Sequence, residues 1–226
     1  MPEIKIDKII RSRRKTIGLM VTQEAQLIVR VPYYVSQDFI QRVVREKQAW
    51  IIAKQRYFQE HQSSALRRDF VVGEEFLFLG DKYVLTPEPD LPKAVVFDGV
   101  LKISSMVLAN TKEHLQHWYK AQAFNYIRQR VDYYAQSHGL VYKSIKVNEA
   151  RTRWGSCGHT NMLNFTWRLI MAPVRVIDYV VVHELMHLKQ KNHSRKFWNE
   201  VAKIIPDYRW DKRWLKDNGH LLAWNV

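Results

Sequence analysis

Apolar and polar residues alternate through IKIDKII, KTIGLMV and QLIVRVP, which predicts strands over residues 3–31. After Ser36 the spacing changes. Apolar residues then recur three and four apart in QDFIQRVVREKQAWIIAKQRYFQEH, a helix that Ser36 can cap. Its expected apolar face carries Phe39, Val43, Ala49 or Trp50, and Ala53. Two hairpins follow in FLFLGDKYVL and AVVFDGVLKIS, the second turning at Asp98-Gly99, with the proline-rich TPEPDLP between them. A long helix is predicted from Asn110 or Thr111 to about Ser137, ending near Gly139. Leu115, Trp118, Ala121, Phe124 or Ile127, and Val131 form its stripe. KSIKVNEA reads as a strand, RTRWGSCGHT as a glycine-punctuated loop, and NMLNFTWRLIMA as a long strand with Leu163, Phe165, Trp167 and Leu169 alternating. Pro173 suits the first turn of a helix over VRVIDYVVVHELMHLKQ, where its missing N–H costs nothing. Ser194 can cap RKFWNEVAKII, which Pro206 stops, and a last helix over DYRWDKRWLKD ends at Asn218-Gly219. This order predicts an α+β fold rather than alternating βαβ units. The expected division is a strand-rich region with one long helix over 1–105 and a second domain over 106–226.

Composition narrows the setting. The chain has 226 residues, 46% hydrophobic and 12% aromatic, enough to build a packed core. Its single cysteine, Cys157, excludes an intramolecular disulfide framework and fits a reducing compartment. The N-terminus, MPEIKIDKII, lacks an apolar signal core, and VIDYVVV is far short of the roughly 20 apolar residues of a membrane helix. A soluble cytoplasmic protein with no membrane partner is expected. The net charge of +14 favours an anionic partner: nucleic acid, a nucleotide or an acidic peptide. No basic run exceeds RSRRK, and no helix-turn-helix, zinc-finger or RNA-binding signature accompanies it.

The chemistry concentrates in HELMHLKQKNH, residues 183–193. His183 and His187 lie four apart, so on a helix both imidazoles leave the same face and can close on one zinc ion. Glu184, beside the first ligand, can reach water on the metal rather than the metal itself. A catalytic zinc usually takes three protein ligands and keeps a fourth position for water. His193 can be the third only if the helix breaks between Lys189 and Asn192, with Asn192 left-handed and Ser194 starting the next helix. Glu200, the one glutamate after Glu184, competes; His193 is preferred. A metzincin is excluded, because Gln190 replaces the required glycine and no methionine follows Met186. His61, His114, His117, His138, His159 and His220 carry no comparable pattern and read as solvated or capping side chains.

RTRWGSC (151–157) together with LIMAPVRVIDYVVVHELMHLKQKNHSRKFW (169–198) resembles the YgjP-like metallopeptidase family, related to the SprT-like zincins. The close match covers roughly 145–215, and the N-terminal strands are compatible with it. The resemblance implies a gluzincin-like, zincin-type catalytic core behind an N-terminal strand-rich extension, in a bacterial intracellular protein. It also implies Zn2+ on His183, His187 and His193, with Glu184 as general base. In the RTRWGSC loop, Gly155 permits a sharp turn and Trp154 offers an apolar anchor. Arg151 and Arg153 either tie the loop to the catalytic helix or, with Arg168, bind a substrate anion. Cys157 is expected to be an inert thiol.

The expected activity is zinc-dependent peptide hydrolysis, in which Glu184 takes a proton from metal-activated water and returns it to the leaving amine. The NMLNFTWRLIMA strand can offer an edge for an extended peptide. Two alternatives stand beside it. One is a metal-dependent nucleotide phosphohydrolase whose anion is held by Arg151, Arg153 or Arg168. The other is a basic nucleic-acid-binding protein in which zinc is structural.

Overall fold

A computed structural model describes residues 4–22, 24–62 and 68–224. Packing divides the chain into two compact units, 1–66 and 67–226. The expected α+β character holds in both.

In the first unit, strands β1 (Lys8–Ser12), β2 (Gly18–Val21) and β3 (Leu27–Pro32) form a sheet in the order β1-β3-β2. β1 runs parallel to the central β3 and β2 antiparallel to it. Alternate residues of β3, Leu27, Val29 and Val31, are fully buried, as period two requires. Ser36 caps α1 (Gln37–Glu46) by accepting from the Phe39 N–H. The predicted single helix is broken at Lys47, and α2 (Gln48–Gln62) follows. The buried face is also one residue out of phase with the expectation. Ile40, Val44 and Ile51 face the core, while Phe39 and Trp50 are exposed.

The second unit holds everything else. Strands β4 (Glu75–Phe78), β5 (Asp81–Glu88), β6 (Val95–Phe97) and β7 (Leu101–Ser104) form a sheet in the order β4-β5-β7-β6. These strands precede the expected boundary at 105, yet Phe76, Phe78, Leu85, Leu101 and Ile103 bury in the same core as Trp118 and Tyr119. Those two aromatics lie on α3 (Thr111–Ser137), whose ends match the sequence reading and whose exit uses Gly139 at φ +60°. Its buried stripe is Leu115, Tyr119, Ala123, Ile127, Val131 and Ala135, four apart, with Trp118 alongside. Ala121 and Phe124 lie off it.

Strands β8 (Ser144–Asn148), β9 (Gly155–Cys157) and β10 (Met162–Thr166) form a third sheet, order β8-β10-β9. NMLNFTWRLIMA is not one strand: after Thr166 the chain turns into a short 3-10 helix, Trp167–Met171, with all five residues buried. β10 is also central, paired on both sides, so the edges of this sheet are β8 and β9. Helix α4 (Val174–Met186) follows Pro173, with α5 (Arg195–Ile204) and α6 (Tyr208–Asn218) beyond it.

α4 is buried around most of its circumference, which explains its near-continuous apolar sequence. Two ion pairs orient it. Asp178, the charge interrupting VIDYVVV, takes both arms of Arg130 from α3, at 2.6 and 2.8 Å. Arg175 reaches the fully buried Asp211 of α6 at 2.7 Å. The β4–β5 hairpin abuts the start of this helix. Gly80 sits at φ +95°, and a Cβ there would lie 2.8 Å from the Pro173 Cα, so only glycine satisfies both constraints. Among the described residues no helix is long and apolar enough to cross a membrane.

Candidate metal centre

His183 lies in the last turn of α4, and His187 is the residue on which the helix ends. The helix stops earlier than expected, at Met186, and tightens through turns in which Leu188, Lys189 and Gln190 donate to the Leu185 and Met186 carbonyls. Asn192 is not left-handed. Its side-chain oxygen instead accepts the Ser194 N–H, and Ser194 caps α5 by accepting from Phe197. This stop and restart turns His193 back onto the end of α4. The Nε2 atom of His193 lies 2.9 Å from that of His183 and 3.1 Å from that of His187. Three ring nitrogens, all within 4.8 Å of one another, could hold a metal ion.

The protonation pattern fits a cation. The Nδ1 of His187 lies 3.0 Å from the Gln190 carbonyl, which can only accept, so Nδ1 carries the proton and Nε2 keeps its lone pair. Burial, reinforced by the neighbouring His187 and His193, holds His183 down to about 3, and burial also lowers His187. Neutral imidazoles are the ligating form.

Glu184 occupies the next position on α4, only 5% exposed. Burial pushes its carboxyl up to about 8, against the opposing pull of the Cys157 backbone N–H and the Arg153 charge. Its Oε2 is buried without a hydrogen-bond partner among the described residues. A carboxylate beside three converging imidazoles, with one oxygen unclaimed by protein, suits an acceptor for a proton from a metal ligand.

Gly155 closes over this carboxylate. A Cβ on Gly155 would lie 2.6 Å from Glu184 Cγ and 2.7 Å from Oε1. Gly155 has no positive φ and opens strand β9, so its contribution is close approach to Glu184 rather than the expected sharp turn. The half-buried Trp154 packs on the core, its ring against Gly219.

The arginines separate. Arg153 is exposed and its charge bears on Glu184. Arg151 is exposed, and its charge bears on Glu149 and Arg168. Arg168 is only 7% exposed, stacks over Trp167 and donates to the Glu149 carbonyl at 3.3 Å. Glu200 lies outside the histidine group, paired with Lys203 and, at 3.8 Å, with Lys189. Burial raises the Cys157 thiol, in keeping with the inert role expected.

Sequence reading missed the aromatic wall. Phe197 packs on all three imidazoles, and Trp198 stacks on His193 with ring centres 5.7 Å apart. Tyr208 also stacks on Trp198, with ring centres 5.0 Å apart. The signal was present in Ser194, since a cap there puts residues 197 and 198 in the first turn beside His193.

The YgjP-like metallopeptidase domain family matches residues 15–218, and the chain belongs to that family. Among solved structures, the metallopeptidase zymogen of Pyrococcus abyssi abylysin aligns with a TM-score of 0.38 and 18% identity, over 44% of this chain and 99% of that one. The metallopeptidase zymogen of Methanocaldococcus jannaschii jannalysin aligns with a TM-score of 0.35 and 21% identity, over 38% and 93%. No curated protein matches the chain.

Proposed function

We propose that the protein is a zinc-dependent peptidase whose metal is held by His183, His187 and His193 and whose general base is Glu184. One observation carries the reading: three imidazole nitrogens converge beside a buried carboxyl of raised proton affinity in a member of a metallopeptidase family. Zinc held by His183, His187 and His193 would supply Lewis acidity, lowering the pKa of water and polarising a carbonyl.

The chain's own residues do the rest. Glu184 takes the proton of the attacking water on a carboxylate oxygen and delivers it to the leaving amine nitrogen. Its raised proton affinity suits the second half of that task, since a carboxyl near 8 holds its proton until the amine takes it. The Gln190 carbonyl keeps the His187 ring in its ligating tautomer. An extended peptide is held along β9, the edge strand that meets Glu184 at Gly155. The phosphohydrolase alternative loses one of its three arginines to burial, since Arg168 lies against Trp167.

The test is a hydrolysis screen of the zinc-loaded protein on peptides and nucleoside triphosphates, beside Glu184→Gln. Peptide cleavage that falls by roughly two to four orders of magnitude in the variant, at unchanged zinc content, supports the reading. Wild-type turnover by the variant, or hydrolysis of triphosphates alone, refutes it.

A further inference from the structure

One face of α5 meets the histidines only through Trp198 and otherwise looks into a cleft. Arg195, Trp198, Asn199 and Ala202 follow the spacing of a single helical face, and they line a cavity of about 950 Å3. The opposite wall is the turn into α6, with Tyr208, Arg209 and Trp210, and Arg175 from the first turn of α4. Three guanidinium groups thus meet one carboxylate, Asp207, across aromatic walls. Arg175 is held by Asp211 and lies 4.2 Å from the Trp210 ring centre, so it is fixed in place. Arg195 and Arg209 form no ion pair with any described residue. The Lys212 ammonium adds positive charge, 4.4 Å from the Trp198 ring centre.

Trp198 joins this cleft to the histidines. The same indole that lines the cavity stacks on His193 and on Tyr208. The Trp198 ring centre lies 5.7 Å from that of His193, less than two extended residues at roughly 3.3–3.6 Å each, so the indole wall of the cleft begins within that reach of the histidines. We infer that this cleft is a specificity subsite for a carboxylate of the substrate, held by Arg195 and Arg209 one or two residues from the scissile bond. Guanidinium forks match a carboxylate in shape and bind it through charge-assisted hydrogen bonds. The carboxylate is an acidic side chain or the peptide's C-terminus; both offer the same chemistry. The inference rests on the peptidase reading for the identity of the substrate.

The test measures binding, separately from turnover. Fluorescently labelled peptides differing only in Glu, Gln or Lys at each position are titrated by anisotropy into zinc-loaded Glu184→Gln protein, with C-termini free or amidated. Tighter binding of the Glu or free-acid peptide over its neutral partner is expected, by about tenfold, the worth of one charge-assisted hydrogen bond. Which of the two comparisons responds identifies the source of the carboxylate. Adding Arg195→Gln and Arg209→Gln, singly and together, should erase the preference while the neutral peptide binds as before. Equal affinity for Glu, Gln and Lys peptides with either C-terminus overturns the subsite whether or not the variants fold. So does a preference that survives both substitutions, or displacement of the peptide by a lower concentration of single-stranded oligonucleotide. Wild-type cleavage of the same peptides keeps the two readings apart. Cleavage without acidic preference refutes the subsite alone, whereas acidic preference without cleavage refutes the peptidase alone.

Discussion

Replacing Glu184 by glutamine tests the electrostatics of the site in metal-free protein, before any substrate is known. Burial lifts the carboxyl from 4.5 to about 8, an interval that converts to about 5 kcal/mol at about 1.4 kcal/mol per pH unit. The sign follows from proton uptake. Between those values the native chain holds a proton that the unfolded chain releases, so stability is greatest below 4.5 and is lost as pH rises through 8. Glutamine is isosteric and has no proton to lose. The variant should therefore match wild type near pH 4 and exceed it by about 4–5 kcal/mol near pH 9. His183 slopes the other way, because a folded value of about 3 against an ordinary 6.5 costs stability as pH falls below 6.5. That slope is common to both proteins and cancels in their difference. The assay is urea unfolding of chelator-treated protein, followed by tryptophan fluorescence across this range. Parallel curves for the two proteins would refute the reasoning, since the carboxyl would then ionise in the fold without penalty.

The other predictions follow from the same geometry. Gly155→Ala places a methyl within 2.6 Å of Glu184 Cγ, so turnover should fall by about a hundredfold, the usual effect of displacing a reacting group by about 1 Å. Zinc content, measured on the same sample, should stay near one per chain; loss of the metal with the activity would mean that Gly155 supports the histidines instead. His193→Ala should weaken zinc retention in a chelator competition by more than the roughly 10–100-fold typical of losing a ligand's hydrogen-bond partner. Glu200→Ala should change it little, because that side chain is tied to surface lysines, and the reverse ranking would transfer the third position to Glu200. Gly80→Ala should destabilise the fold by at least roughly 1–3 kcal/mol from its backbone conformation alone. The clash with Pro173 adds to that, so an unchanged urea midpoint would refute the packing argument at the start of α4.

Helix ends marked by a capping serine or a glycine exit were legible because those signals are local, whereas the break at Lys47 and the early stop of α4 at Met186 carried no such mark. Ser36 and Ser194 cap the helices they were expected to cap, and α3 begins and ends where Asn110, Thr111 and Gly139 indicated. The pattern failed where burial was complete. Trp167–Met171 is apolar or buried at every position, so period two could not reveal that the backbone had left the sheet. Which core a strand joins was equally hidden. β4–β7 read correctly as hairpin strands, but nothing local in FLFLG indicates that Phe78 will pack on Trp118 of α3.

The candidate site divides along the same line. His183 and His187 were legible because their separation and orientation are set within one helix, and His193 because Ser194 marked where the next helix starts. The groups that set the proton affinity of Glu184 lie elsewhere in the chain. Its carboxyl is raised to about 8 by its burial, and part of that burial is the approach of β9, which only Gly155 allows. A glycine in a loop motif has several physical explanations, and sequence reading chose backbone freedom where the fold uses the missing side chain. An HExxH match therefore locates the imidazoles but leaves the proton affinity of its glutamate undetermined. That property belongs to the pairing of RTRWGSC with the helix.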